Sequence, residues 1–200
     1  MHAWVNLYFA KDRKHELRNV TVTQSIYAAT GTPPFTIQEH CGKWVAPLNS
    51  LLYNLTSHTH KRGRNFRADL ADGTRIYQSS IYTDPVEQAF NPPMPFDATD
   101  DAQRTVTYCA EFNNGLTKDG KPDLDLVTRL SKMPKNTTCE PVACVAGKIA
   151  APCRGKDDNA TCDSAPGAGD GVCDACAITS GQTTEDEMFV LNPHIVLDGD

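Results

Sequence analysis

The stretch Leu51-Leu52-Tyr53-Asn54-Leu55-Thr56-Ser57-His58-Thr59-His60 predicts a β-strand that ends in two histidines. Side chains on a strand alternate between its two faces, so residues i and i+2 point the same way. This alternation predicts an apolar face made by Leu51, Tyr53 and Leu55. The opposite, largely polar face is predicted to carry Leu52, Asn54, Thr56, His58 and His60. We therefore expect both imidazoles to lie side by side on the solvent-facing side of the strand.

Two imidazoles fixed on one strand face suit a metal ion, because neutral imidazole is a common metal ligand. A metal held by His58 and His60 would be open to a substrate or to another domain. The competing interpretation is that both histidines are simply exposed or hydrogen-bonded, as in most chance occurrences of His-x-His. Two ligands are also too few, so the metal hypothesis requires a third from elsewhere in the chain.

The length and composition fit one globular domain. The 200 residues are 40% hydrophobic and 22% charged, which is ordinary for such a domain. The formal net charge of −6 argues against nucleic acid as the main partner. No apolar run reaches the length of about 18 residues that a membrane span needs, so the sequence predicts no membrane-spanning helix.

The eight cysteines bear on the cellular compartment. Six of them fall within residues 139–176, a segment rich in glycine, proline and aspartate that has little apolar content. Such a segment cannot build a core, so the cysteines predict disulfides and an oxidising compartment, extracellular or periplasmic. Because Met1-His2-Ala3-Trp4-Val5 begins as strand-like sequence instead of a secretory leader, we expect the chain to be part of a longer secreted protein.

Short strands separated by turn signals recur along the chain, and helix patterns are almost absent. One predicted strand places four apolar residues on the same face: Val106, Tyr108, Ala110 and Phe112. Asp72-Gly73 predicts a hairpin. These patterns predict an all-β fold, an antiparallel β-sandwich. We predict a single domain over residues 1–200, with a disulfide-rich loop insertion at about 132–180.

Prolines are expected to interrupt two of the extended segments. Pro85, Pro92, Pro93 and Pro95 predict an irregular connection. Asn192-Pro193 predicts the end of the strand that starts at Met188.

Candidates for the third metal ligand are the cysteines, Met188 and four histidines: His2, His15, His40 and His194. A methionine thioether is a soft ligand that selects copper, particularly Cu(I), over zinc or magnesium. The alternative is that Met188 fills the core at the start of a strand. The physical chemistry of the residues by itself favours that alternative.

Four motifs occur in the order seen in one protein family: Leu55-Thr56-Ser57-His58-Thr59-His60, the Asp72-Gly73 hairpin, the strand 106–112, and Thr183-Thr184-Glu185-Asp186-Glu187-Met188. They resemble the C-terminal domain of the copper type II, ascorbate-dependent monooxygenases, which include peptidylglycine α-hydroxylating monooxygenase and dopamine β-monooxygenase. The resemblance covers roughly residues 1–115 and 180–197, and it implies an eight- or nine-stranded jelly-roll-like sandwich. In that family a His-Thr-His and a later methionine bind the catalytic copper, CuM. The resemblance thus implies that His58, His60 and Met188 are the copper ligands and catalytic residues.

The resemblance also implies a reaction and its partners. Copper and dioxygen hydroxylate a C–H bond of the substrate in this family, and ascorbate is the usual reductant. A second copper, CuH, is held by three histidines on an N-terminal domain and its border, and supplies an electron across a solvent-filled cleft. We therefore expect a copper-dependent monooxygenase domain that acts on a small-molecule or peptide-like substrate and is incomplete without an N-terminal CuH domain of the same protein.

Several positions depart from the family pattern. The chain has no His-His pair, so two CuH ligands are absent, and the position expected for the third reads Asn6, with His2 nearby. A family arginine that binds a substrate carboxylate corresponds to Thr56, and a tyrosine four residues after the methionine corresponds to Asn192. These two differences argue against a substrate that ends in a peptide carboxylate.

The family cysteine that follows the ligand methionine corresponds to Phe189. Cys109 therefore needs another disulfide partner, either in the cysteine-rich segment or at Cys41.

The inserted segment Cys139–Cys176 has no counterpart in the animal enzymes of the family. Its aspartates are faintly similar to those of calcium-binding loops, although solvated turns between disulfides are the favoured explanation. Cys173 and Cys176 have the spacing of a redox or zinc pair, but no second pair accompanies them, so we interpret them as structural.

Two other kinds of function are alternatives to the oxygenase. A non-catalytic secreted β-sandwich, acting as a binding or adhesion module, would need the same fold with or without copper. A structural zinc site is the other, and a methionine ligand argues against it.

Overall fold

The computed structural model describes residues 16–23, 31–121, 123, 126–127, 139–143, 172–178, 181, 184 and 186–197. These residues form eleven strands: β1 (Arg18–Asn19), β2 (Val22–Thr23), β3 (Ile37–Val45), β4 (Ser50–Thr59), β5 (Gly63–Asp69), β6 (Arg75–Ser79), β7 (Gln88–Phe96), β8 (Thr105–Asn113), β9 (Cys139–Ala143), β10 (Val172–Ile178) and β11 (Phe189–Val196). The described part of the chain contains no α-helix, so the predicted all-β class is confirmed. Accordingly, none of the described residues forms a helix that could cross a membrane.

Two antiparallel sheets make up the sandwich. The first sheet has the order β1-β11-β4-β7, with β2 also paired to β11, and the second has the order β3-β8-β5-β6. The predicted Asp72-Gly73 hairpin joins β5 to β6, and Gly73 adopts the positive φ of 85° that such a turn requires.

The core lies between the two sheets and draws on both. The second sheet contributes the four residues that were predicted to share a face, Val106, Tyr108, Ala110 and Phe112, and all four are fully buried. The first sheet contributes Phe189 of β11, whose ring centroid lies 5.2 Å from that of Tyr108. Burial of these apolar faces is the main force that holds the sheets together.

The face assignment predicted for β4 is wrong before Tyr53 and right after it. Leu52 and Leu55 are both fully buried, whereas Leu51 is 37% exposed. The pairing of β4 with both neighbours skips Tyr53, which marks a β-bulge at this residue. An extra residue in a bulge shifts the alternation by one position, so a strict period of two could not describe the whole strand.

The prediction that Asn192-Pro193 ends the last strand is also wrong, because β11 continues to Val196. The Pro193 carbonyl accepts a hydrogen bond from the Val20 N–H at 2.9 Å. In an extended strand the nitrogen and carbonyl of one residue point to the same side, so the Pro193 nitrogen also faces Val20, which lies in the gap between β1 and β2. A missing N–H costs little where the adjacent ladder is already broken.

The irregular connection predicted from four prolines holds for Pro85 but not for the others. Pro92, Pro93 and Pro95 lie within β7, which is an edge strand of the first sheet. Proline is tolerated on an edge strand because one side of that strand needs no hydrogen-bond donors.

A disulfide joins Cys41 of β3 to Cys109 of β8, which face each other directly in the ladder. Of the two partners expected for Cys109, the structure selects Cys41. The ends of the predicted loop insertion form an antiparallel two-stranded ladder of β9 and β10. The disulfides predicted within the insertion, and its aspartates apart from Asp174 in β10, lie outside the described residues.

We expect the double substitution Cys41→Ala/Cys109→Ala to lower the free energy of unfolding by about 4 kcal/mol. The disulfide closes a loop between cysteines that are 68 residues apart, and a cross-link of that span removes this much loop entropy from the unfolded chain. Urea denaturation measures the loss. With reductant present, wild type and variant should unfold at the same midpoint, because the cross-link is then absent from both. An unchanged midpoint in the oxidised variant would contradict the expectation.

Candidate metal centre

The pairing of β4 with β11 brings the histidine motif and Met188 together. Val190 pairs with His58 in the ladder, and the His60 backbone N–H donates to the Met188 carbonyl at 3.3 Å. Paired residues of antiparallel strands share a sheet face. His58, His60 and Met188 therefore share the face of the first sheet opposite to the core residue Phe189.

The two imidazoles lie next to each other, with ring centroids 5.3 Å apart and ring planes at 87°. His58 is exposed, as predicted, but His60 is only 7% exposed. The prediction that both rings are solvated is thus wrong for His60, because residues 186–188 pack against it. The pair has one open side, at His58.

The Asp186 carbonyl fixes the tautomer of His60. This carbonyl lies 3.1 Å from His60 Nδ1. A carbonyl oxygen can only accept, so Nδ1 carries the proton and donates it. His60 Nε2 then holds the lone pair, as it must in a histidine that ligates a metal through that nitrogen.

His58 is suited to ligation by its protonation state. The pKa of His58 is lowered below its usual value, mainly by partial burial of the ring and secondarily by the neighbouring His60. The imidazole is therefore neutral at neutral pH, and neutral imidazole is the form that binds metal.

Met188 is half-buried and sits at the end of a tightly held segment. The Gly181 N–H donates to the Glu187 carbonyl at 3.2 Å. An added Cβ at Gly181 would come within 2.2 Å of an Asp186 carboxylate oxygen. Residue 181 therefore packs directly against the Asp186 side chain, with no room for a side chain of its own.

A buried polar cluster, here called the Glu187 cluster, lies behind the candidate ligands. It consists of Glu187, His40 and Thr32. Glu187 is fully buried, and its Oε2 lies 3.8 Å from His40 Nε2 on β3 of the second sheet. The Thr32 hydroxyl lies 3.3 Å from the same histidine nitrogen.

Burial raises the pKa of Glu187 to about 8, and the Thr32 hydroxyl and the charge of buried Arg62 offset only part of that rise. Sequence reasoning missed this residue. Its signal was the strand alternation, because Glu187 has the same parity as the inward-facing Phe189 and Leu191.

The remaining predicted ligands do not join the centre. His40 belongs to the Glu187 cluster, and His194 pairs with Asn54. His194 lies four strand positions from Val190, or about 13 Å along β11. His2 and His15 lie outside the described residues.

A separate group made by Glu39, Cys41 and Cys109 has ligand atoms within 4.8 Å of one another. Its sulfurs form the disulfide. They are therefore not available as thiolate ligands.

The surface beside His58 is polar and uncharged at the next pair along the ladder. Thr56 pairs with Asn192 there, and the Thr56 hydroxyl donates to the Val86 carbonyl at 3.1 Å. On the opposite face of β4, the Tyr77 hydroxyl donates to the same carbonyl at 2.7 Å and lies 2.9 Å from the Ser57 hydroxyl. The strand that carries the histidines is thus anchored from both sides.

The sequence matches neither a protein-family profile nor a curated protein. The likeness to the copper monooxygenases therefore rests on the quoted motifs.

The metal-free protein should lose stability as the pH rises from about 4.5 to 8, because over this range Glu187 keeps its proton in the folded protein and loses it in the unfolded chain. The folded-state pKa of this carboxyl, about 8, exceeds its ordinary value of 4.5, so the folded protein holds the proton more tightly than the unfolded chain does. Stability from this source is complete below about pH 4.5 and declines through the folded pKa. Urea denaturation across that range should show the decline in wild type and its absence in Glu187→Gln. Parallel curves would contradict the assignment.

We expect Gly181→Ala to weaken copper binding without touching a ligand, because the new methyl group clashes with the buried side chain of Asp186, the residue whose carbonyl orients His60. Gly120→Ala is the control. It introduces backbone strain at a φ of 73° but meets no atom within 4 Å. Competition with a chromophoric Cu(I) chelator measures both affinities. Equal affinities in the two variants would show that the close approach at Gly181 is unimportant to the centre.

Proposed function

We propose that this chain is the copper-binding catalytic domain of a copper-dependent monooxygenase, with His58, His60 and Met188 as ligands. One observation carries the proposal: the β4–β11 ladder brings two adjacent imidazoles and a methionine to one sheet face. The family resemblance points to the same three residues.

The donor set fits copper better than other metals. Two imidazoles with a thioether form a mixed nitrogen and soft sulfur set, which favours Cu(I) over zinc and excludes magnesium or calcium. His60 offers Nε2 because the Asp186 carbonyl holds its Nδ1 proton. His58 offers a neutral ring because its pKa is lowered.

Bound copper supplies the redox chemistry by which dioxygen hydroxylates a C–H bond of the substrate. One oxygen atom enters the product and the other leaves as water, with two electrons from ascorbate or an equivalent reductant and two protons. The chain's own residues orient the centre and control access to it. β4 and β11 fix the ligands before reaction, so little reorganisation is needed. His58 leaves one side open to substrate, while residues 186–188 exclude water from His60.

The neighbouring side chains bear on the substrate. Thr56 and Asn192 are directly paired next to His58, at the two positions where the peptide-hydroxylating relatives contact a substrate carboxylate. Both are uncharged here, so a small-molecule or peptide-like substrate with a neutral polar group near the reacting carbon suits this surface.

The partners follow from the proposed reaction. Electrons reach this domain from a CuH domain of the same protein, because the chain has no His-His pair of its own. The Cys41–Cys109 disulfide supports a secreted or periplasmic location, where disulfides persist.

Copper-edge X-ray absorption on ascorbate-reduced protein tests the proposal. Wild type should bind one copper and show a Cu–S shell, which Met188→Ala should remove because it deletes the thioether. Met94→Ala is the matched control, since Met94 is also half-buried but lies on β7. His58→Ala should lower Cu(I) affinity on the order of tenfold or more, equivalent to about 1.4 kcal/mol.

A Cu–S shell that persists in Met188→Ala would remove the methionine from the centre. Failure of wild type to bind stoichiometric copper would refute the oxygenase and favour a binding or adhesion module.

A further inference from the structure

The proposed ligands depend on a segment of three residues, 186–188, whose two flanking carbonyls both contact His60. The Asp186 carbonyl accepts from the ring, at 3.1 Å, and the Met188 carbonyl accepts from the backbone N–H, at 3.3 Å. The side chain between these carbonyls belongs to Glu187. A displacement of Glu187 would therefore move the Asp186 carbonyl that holds the His60 ring. It would also move Met188, which is the next residue in the chain.

Glu187 points away from the ligand face and into the sandwich. Its carboxyl is fully buried and lies against His40 of the second sheet, with Oε2 3.8 Å from Nε2, which is van der Waals contact and longer than a hydrogen bond. Phe189 and Leu191, which share its parity on the chain, are buried apolar residues. The position next to the proposed ligand thus contains an acid where the rest of the strand buries hydrocarbon.

A buried carboxyl contributes none of the hydrophobic stabilisation that an apolar residue would give there, and its desolvation costs free energy. The buried carboxyl does, however, favour one pairing register of β11 over the alternatives. Slipping β11 by one residue would move Glu187 to the outer face and bring Met188 into the core. Only the observed register keeps the carboxyl on His40 and the thioether outward.

We propose that Glu187 is a positioning residue for the metal centre: its fully buried side chain, packed against His40, holds residues 186–188 in the placement that presents Met188 and orients His60. The contact links the second sheet to a centre carried by the first. This inference rests on the proposed function, because it assumes that the centre binds copper.

The test compares Glu187→Ala, His40→Ala and the double variant. We expect each single variant to lower Cu(I) affinity about 10- to 100-fold, as loss of a group that orients metal ligands typically does. We expect the Cu(I) affinity of the double variant to equal that of the single variant that binds Cu(I) less tightly, because both substitutions break the same contact. Glu187→Gln, which keeps the shape of the side chain, should retain most of the wild-type Cu(I) affinity. Chelator competition gives the affinities, and X-ray absorption shows whether the Cu–S shell weakens.

Val106→Ala separates positioning from general stability. Val106 is fully buried on β8, so its truncation lowers the melting temperature without touching the Glu187 cluster. We expect it to leave Cu(I) affinity and the Cu–S shell unchanged. If Val106→Ala weakened copper binding as much as Glu187→Ala, Glu187 would have a structural role only.

The outcomes distinguish this inference from the proposed function. Loss of copper in His58→Ala and Met188→Ala, with wild-type affinity and an intact Cu–S shell in Glu187→Ala and His40→Ala, would overturn positioning and leave the copper site standing. Wild-type affinity in His58→Ala and Met188→Ala would overturn the site and the inference together. If Glu187→Ala does not fold, His40→Ala replaces it in the test. A loss of Cu(I) affinity and a weakened Cu–S shell in His40→Ala would support positioning, and wild-type values would overturn it.

Discussion

The antiparallel pairing of β4 with β11 is the constraint on which the candidate site depends. It brings His60 within hydrogen-bond distance of Asp186, a residue 126 positions later in the sequence. The ladder continues past the strand ends through the bond from the His60 N–H to the Met188 carbonyl. Because a strand pair shares its faces, one register decides both which residues enter the core and which meet on the outer surface.

Anchoring from several directions distinguishes this end of the sandwich. The hydroxyls of Tyr77 and Thr56 both reach the Val86 carbonyl, from opposite faces of β4. The Asp186 carbonyl holds the His60 ring from the side. Of the candidate ligands, His60 has its ring held by a hydrogen bond, so this side chain would need little rearrangement on binding a metal.

The Glu187 cluster shows how an unfavourable interior group can coexist with a stable fold. The two sheets are already held together by the aromatic core around Tyr108, Phe112 and Phe189, and the Cys41–Cys109 disulfide cross-links β3 to β8 within the second sheet. These contributions offset the cost of burying a carboxyl, and that cost grows as the pH rises above the ordinary pKa of the group. A penalty of that kind, confined to residues that adjoin the candidate ligands, is typical of functional sites.

Sequence alone determined the fold class, the hairpin at Asp72-Gly73 and the inward face of β8, because strand alternation and turn chemistry are local properties. The order of the motifs also indicated His58, His60 and Met188 as candidate metal ligands. Only the tertiary structure decided the inner face of β4 before Tyr53, since a bulge depends on the partner strands. The same holds for Pro193, which β11 accommodates because the adjacent ladder is interrupted. Burial of His60 and of Glu187, and the choice of Cys41 as partner of Cys109, depend on contacts between distant segments, which no local pattern encodes.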